Sequence, residues 1–175
     1  MYKYILVLIV LNSCGYAKMQ QQLQLTPISK GFSGTYENYA YKYKLEKRAA
    51  EIGKDGTTLT KLLYLTKVKN GTIGFKLLTN KAIELYFQDS INTTTKTVKG
   101  KLSNRGLFIT KIIHHRVQIP PIFPFLYNST NIEKFFIESN TANDLVVTLT
   151  YVNEGNILIF GAGNSYTITY FFKKI

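Results

Sequence analysis

Chemistry in this chain of 175 residues falls to a small set of side chains able to supply a nucleophile, a proton or a metal ligand: one cysteine, Cys14, two histidines, His114 and His115, a scatter of serines and ten carboxylates. The adjacent histidines are the obvious pair to test for metal binding. Neighbouring residues of a strand point to opposite faces, so the two imidazoles do not chelate one ion, and neither an HExxH motif nor spaced cysteines accompany them. No metal site is therefore expected. Nucleophilic catalysis needs a base and an oxyanion donor beside the nucleophile, and no G-x-S-x-G is present. Ser103, Ser129 and Ser165 fall in turn-like contexts, where hydroxyls bond backbone. Glu84 with Glu133 or Glu138 would make the carboxylate pair of a hydrolase only at the right separation; otherwise these groups are partners of lysines. The residues read as a non-enzyme without a cofactor.

Cys14 asks for a different chemistry. A charged start, Met1-Tyr2-Lys3-Tyr4, leads into the apolar run 5–11 and then into Asn12-Ser13-Cys14-Gly15, the layout of a removable export signal too short to span a bilayer. Leu11-Asn12-Ser13-Cys14 resembles the lipobox of bacterial lipoproteins. That resemblance implies a diacylglycerol on the thiol, removal of residues 1–13 and acylation of the new amino terminus, an anchor of two or three chains at roughly 0.8 kcal/mol per buried CH₂. No thiol would then remain for a disulfide. Residues 14–30, with Gln20-Gln21-Gln22 and Pro27, read as a polar tether, and residues 31–175 as a single domain. By the sorting habits of such lipoproteins, the lack of an Asp after Gly15 implies the bacterial outer membrane, facing the periplasm; a plain secretory signal and a secreted protein is the alternative.

Charge is lopsided. The chain carries 22 basic and 10 acidic residues, and 18 of the basic ones lie between Cys14 and Arg116 against 6 acidic. Near a membrane such a surface attracts lipid headgroups or an anionic envelope polymer through a force that salt screens. The lysines are scattered among Thr, Asn and Gly without a recognition motif, which argues against nucleic acid.

The elements that must position these groups are strands. From Gly34 onward the period is two: Tyr39, Tyr41 and Tyr43 are assigned to one face; Ile83, Leu85 and Phe87 follow; then Val98, Gly100 and Leu102 with Lys99 and Lys101 opposite; then residues 107–117; then Leu145, Val147, Leu149 and Tyr151; then Tyr166, Ile168, Tyr170 and Phe172. Turn signals at Asn70-Gly71, Asn104-Arg105-Gly106, Asn153-Glu154-Gly155-Asn156 and Gly161-Ala162-Gly163-Asn164 predict antiparallel hairpins. Residues 44–52 and 58–67 have helical character. Leu59, Leu62, Leu63 and Thr66 with Thr57 or Thr58 as cap predict one short helix across the end of the sheet. Eight or nine short strands suggest an all-β, mainly antiparallel fold: an up-and-down β-barrel, or alternatively a two-sheet β-sandwich. Gly34-Thr35-Tyr36 resembles the Gly-x-Trp that opens the first strand of lipocalin-like proteins, which implies the barrel.

Three prolines interrupt the apolar stretch 119–127, so it cannot be a central strand. Ile122, Phe123, Phe125 and Tyr127 are expected either to seal the core or to form a lip for a ligand or partner. The expected function is a lipid-anchored envelope protein whose β domain binds an apolar or amphipathic small molecule, a lipid or another envelope protein. A structural or assembly subunit with a closed core is the alternative.

Overall fold

A computed structural model describes residues 24–46, 51–52, 56–65, 71–88, 93–104, 106, 108–118, 127–157 and 160–175. The alternating runs form β1 (Leu25–Thr26), β2 (Ser33–Leu45), β3 (Glu51–Ile52), β4 (Thr72–Thr79), β5 (Ala82–Gln88), β6 (Thr93–Lys99), β7 (Lys101–Leu102), β8 (Phe108–Gln118), β9 (Tyr127–Asn140), β10 (Leu145–Ile157) and β11 (Phe160–Lys174), with one helix, α1 (Leu59–Leu62). The fold is all-β and antiparallel. One eleven-stranded sheet has the order β6-β5-β4-β2-β11-β10-β9-β8-β7, with β1 added to β9 and β3 to β2. The hydrogen-bonded path is open, but its two end strands, β6 and β7, are consecutive in the chain and joined by Gly100 alone.

Gly100 is required by packing. A Cβ there would run into the ring of Phe108 and lie 2.6 Å from the carbonyl oxygen of Ile109, so the chain approaches β8 only without a side chain. Thr110 Oγ1 donates to the Lys99 carbonyl across the same contact (2.7 Å).

One face of the sheet holds the core. Tyr36 and Ala40 of β2, Ile73, Phe75 and Leu77 of β4, Ile83, Leu85 and Phe87 of β5, Phe108 of β8, Phe135 and Ile137 of β9, Leu145 and Val147 of β10, and Tyr170 and Phe172 of β11 are all buried in one cluster. At roughly 1.5–3 kcal/mol for each large side chain, this alternation is the main term that selects the register. Burial pushes the Tyr36 hydroxyl up to about 12, with the nearby Asp144 carboxylate adding to the effect.

Several expectations change. The three tyrosines of β2 do not share a face, because a bulge lies where the partners of Phe171 and Phe172 jump from Lys42 to Ala40. Tyr39 is exposed, Tyr41 turns to the outer side against Phe171 and donates to Asp144 Oδ2 (2.9 Å), and Tyr43 stacks on Tyr170 inside. Residues 44–52 are not helical where they are described: Lys44 pairs with Glu51 and Tyr43 with Ile52. Four strands are long, not short; β2, β9, β10 and β11 have 13, 14, 13 and 15 residues. Asn153–Asn156 and Gly161–Asn164 are not turns but partners, Asn153 with Asn164 through Asn156 with Gly161. Gly and Asn tolerate extended backbone, and a ladder closed on both sides of β10 overrides their turn preference. Asn104–Gly106 does turn, with Gly106 N–H donating to the Ser103 carbonyl (2.9 Å).

The packed region also starts before Gly31. Leu25 pairs with Asn140 and Thr26 with Ser139, and Ile28 is wholly buried. The expected tether up to residue 23, Cys14 included, lies outside the described residues, as do Ile122, Phe123 and Phe125.

Candidate functional site

The inner face of β9–β11 runs out of core at one end, and α1 lies over it there. Thr58 caps the helix, its side chain accepting from Lys61 N–H (3.1 Å). Beneath, the buried amide of Asn38 accepts from both Thr60 N–H and Thr60 Oγ1 (3.2 Å each), and Ala40 N–H donates to the Thr57 carbonyl (3.0 Å). These bonds dock the helix on β2. Leu59, Leu62, Leu63 and Leu65 are buried, as the helical spacing predicts for the first three.

The helix ends in an unusual way. Leu65 N–H reaches back to the Thr60 carbonyl (2.8 Å) and Tyr64 N–H to that of Lys61 (3.1 Å), the closing pattern in which glycine is the usual left-handed residue. Here the left-handed position is Tyr64, at φ 54°, which costs roughly 1–2 kcal/mol for a residue with a Cβ. Its hydroxyl donates to the Glu133 carboxylate, 2.8 Å from Oε2 and 3.0 Å from Oε1. Desolvation first, and then this carboxylate, push the Tyr64 hydroxyl up to about 12.

Between α1 and the sheet lies a cleft of about 250 Å³ lined by Thr57, Lys61, Leu62, Tyr64, Glu133, Phe135, Leu149 and Tyr170. Its floor is apolar and its rim polar. Beside Glu133 in register stand Tyr151 and Tyr166, stacked with centroids 5.0 Å apart. Partial burial raises the Tyr166 hydroxyl, with Tyr151 and Glu133 adding to it. Two residues along the same face from Glu133, Asn131 Oδ1 is buried and has no hydrogen-bond partner among the described residues.

Other candidate groups do not converge. Glu133 faces the interior while Glu138, five residues on in the same strand, faces out, and Glu84 lies on the outward side of β5, where the Tyr86 hydroxyl donates to it. Glu133 is thus on the opposite face of the sheet from Glu84 and from Glu138. Ser129 and Ser165 belong to paired strands rather than turns, and Ser103 accepts at its turn. His114 falls at a β8 bulge between Ile113 and His115, which interrupts the simple alternation on which their expected separation rests. Among the described residues no three His, Cys, Asp or Glu side chains gather as a metal site, and no helix is long and apolar enough to cross a membrane. Tyr127 begins β9, paired with Ile157.

Glu133, Leu62, Leu149, Tyr151, Tyr166 and Tyr170 were each visible in the sequence as a carboxylate or as part of a periodic face. Tyr64 was not, because nothing local distinguishes a left-handed tyrosine. No family model matches this chain, and neither the curated proteins nor the solved structures contain a match to it.

Proposed function

We propose that this chain is a lipid-anchored envelope protein, held through Cys14, whose β domain takes one end of an amphipathic molecule into the cleft under α1 without transforming it. The observation that carries this reading is Tyr64, which keeps an unfavourable backbone and places its hydroxyl on Glu133 at the rim of an apolar floor. Strained residues persist where the surroundings over-determine them and cluster at binding sites. The volume bears on the size of the ligand: about 250 Å³ is below the ~300 Å³ at which pockets for whole drug-sized molecules begin. The cleft therefore fits a short apolar or aromatic group whose polar end, carrying hydrogen-bond donors, meets Glu133. Closure of the sheet as a barrel belongs to the same reading and is supported by the Gly100 link between its two end strands. The lipobox-like Leu11-Asn12-Ser13-Cys14 supports the anchor, with the outer membrane as its place.

The test is titration of the full chain with N-phenyl-1-naphthylamine, a neutral amphiphile bearing one N–H donor, followed by its fluorescence. Saturable binding is expected, lost in Leu149→Arg and weakened severalfold in Tyr64→Gly, which keeps the helix end and removes the rim. Absence of binding by the parent, or parental affinity in both variants, overturns the cleft. Cell fractionation of Cys14→Ala addresses the anchor separately: release from membranes is expected, and retention after a high-salt wash refutes it.

A further inference from the structure

The outer face of the sheet carries an arrangement of charge at odds with its own stability. Lys111 of β8 and Lys134 of β9 are direct cross-strand partners. Both face outward, because their neighbours Thr110 and Phe135 are buried. Like charges placed opposite one another destabilise a sheet. Edge protection, the common reason for a strand lysine, does not account for Lys134, whose strand is paired on both sides, with Lys111 and Thr150.

Two more lysines join them. Gly100 is directed at the ring of the buried Phe108, so Lys99 and Lys101 on either side of it point outward. Lys101 pairs with Ile109, two residues from Lys111 on the same face, and the Thr110 hydroxyl holds the Lys99 carbonyl beside β8. Lys99, Lys101 and Lys111 are exposed and Lys134 is half-buried. Among the described residues the carboxylates of this face lie at its margin, Glu154 being four residues along β10 from Thr150, the cross-strand partner of Lys134. Glu84 is diagonal to Lys99 across β5 and β6 and already receives the Tyr86 hydroxyl, and Glu138 is four residues from Lys134 along β9, roughly 13 Å at strand rise. Beyond Lys134 the row continues as Thr150 and Thr167, neutral hydroxyls 3.4 Å apart. The half-buried Ile109 and Phe136 occupy the next row.

We infer that this patch is a docking face for an anionic membrane surface, taking lipid phosphates on Lys99, Lys101, Lys111 and Lys134. Charge complementarity argues for an anion, and the shape argues for a membrane. Four cations spread over neighbouring strands about 4.8 Å apart make a two-dimensional array on a sheet face, which matches a plane of headgroups better than a single polymer strand lying in a groove. Ile109 and Phe136 provide apolar contact next to the charges, as interfacial binding needs. The patch is separate from the cleft, and its function does not require the lipid on Cys14.

The test uses the full chain with Cys14→Ala, so that no acyl chain contributes, and sedimentation with vesicles of one part phosphatidylglycerol to two parts phosphatidylcholine. Vesicles of phosphatidylcholine alone report any contribution of the apolar leader. Binding to the anionic vesicles is expected, to fall as salt shortens the range of the attraction, and to weaken about fivefold for each patch lysine changed to Gln. A second variant with Lys30, Lys44, Lys173 and Lys174 changed to Gln removes the same charge elsewhere and should bind nearly as the parent does. Equal loss in both variants would assign the effect to net charge and overturn the patch. So would unchanged binding in the patch variant, parental binding no stronger than to phosphatidylcholine, or binding of soluble polyphosphate without binding of vesicles. Circular dichroism of each variant confirms that the sheet is retained.

Discussion

Along β9, β10 and β11 the inward rows change character step by step. Ser139–Leu145–Phe172 and Ile137–Val147–Tyr170 are buried throughout; Phe135–Leu149–Ile168 is half-open; Glu133–Tyr151–Tyr166 is open at its edge, Tyr166 being 40 % exposed; and Asn153 and Asn164 of the next row are exposed. The strands, the alternation and the face are the same at both ends. What differs is the cover. At the closed end Ile28 and Phe108 belong to the same buried cluster, and the 140–144 turn is fastened there by the buried Asp144, which accepts from Tyr41, Asn140 and the Lys174 N–H. At the open end a four-residue helix and one tyrosine stand over the sheet. Periodicity thus assigns a side chain to a face, while the elements laid across that face decide whether it becomes core or site.

Truncation at the two ends gives the largest expected contrast. Phe172→Ala should cost about 3–5 kcal/mol in denaturant unfolding, since the cavity is enclosed, whereas Tyr166→Ala should cost less than about 1 kcal/mol. Similar shifts in both would erase the distinction between core and rim. Next comes the helix anchor. Asn38→Leu leaves the Thr60 N–H without its acceptor, at about 1–3 kcal/mol, while the Thr60 hydroxyl keeps Thr58 Oγ1, and should speed hydrogen exchange at Leu65 well before it affects Val147; exchange rising equally at both would show that α1 and the closed end open as one unit.

The smallest effect is electrostatic and lies on the outer face. Glu138 is half-buried beside Val146 and desolvation raises its carboxyl above the usual 4.5. A raised acid favours the folded state while protonated, so its contribution is complete below pH 4.5 and is lost as pH climbs through the raised folded value. Glu138→Gln should therefore be more stable than the parent at pH 7 and indistinguishable from it near pH 3. Thermal unfolding at the two pH values checks this, and a variant less stable at pH 7 would mean that Glu138 has a favourable partner there.

Much of the open end is legible in the sequence. Leu149, Tyr151, Tyr166 and Tyr170 are marked by strict alternation, Leu59 and Leu62 by helical spacing with a threonine cap, and Glu133 by being one of few carboxylates in its third of the chain. Each of these signals is local, a matter of period and neighbour. Tyr64 and Asn38 escape because their roles rest on partners far along the chain: the Tyr64 hydroxyl reaches Glu133 sixty-nine residues away, and Asn38 meets Thr60 across twenty-two.

By itself the sequence determined that the chain is antiparallel β, which faces of most strands turn inward, and where one short helix begins, because backbone sterics and apolar burial act on residues two to four apart. Only the tertiary structure decided that the Gly- and Asn-rich stretches near 153 and 163 extend as paired strands, that a bulge separates Tyr41 from Tyr43, and that Lys111 stands opposite Lys134. Those outcomes depend on which strands become neighbours. Pairing is a collective balance of hydrogen bonds and packing over the whole sheet, and no single window of sequence contains it.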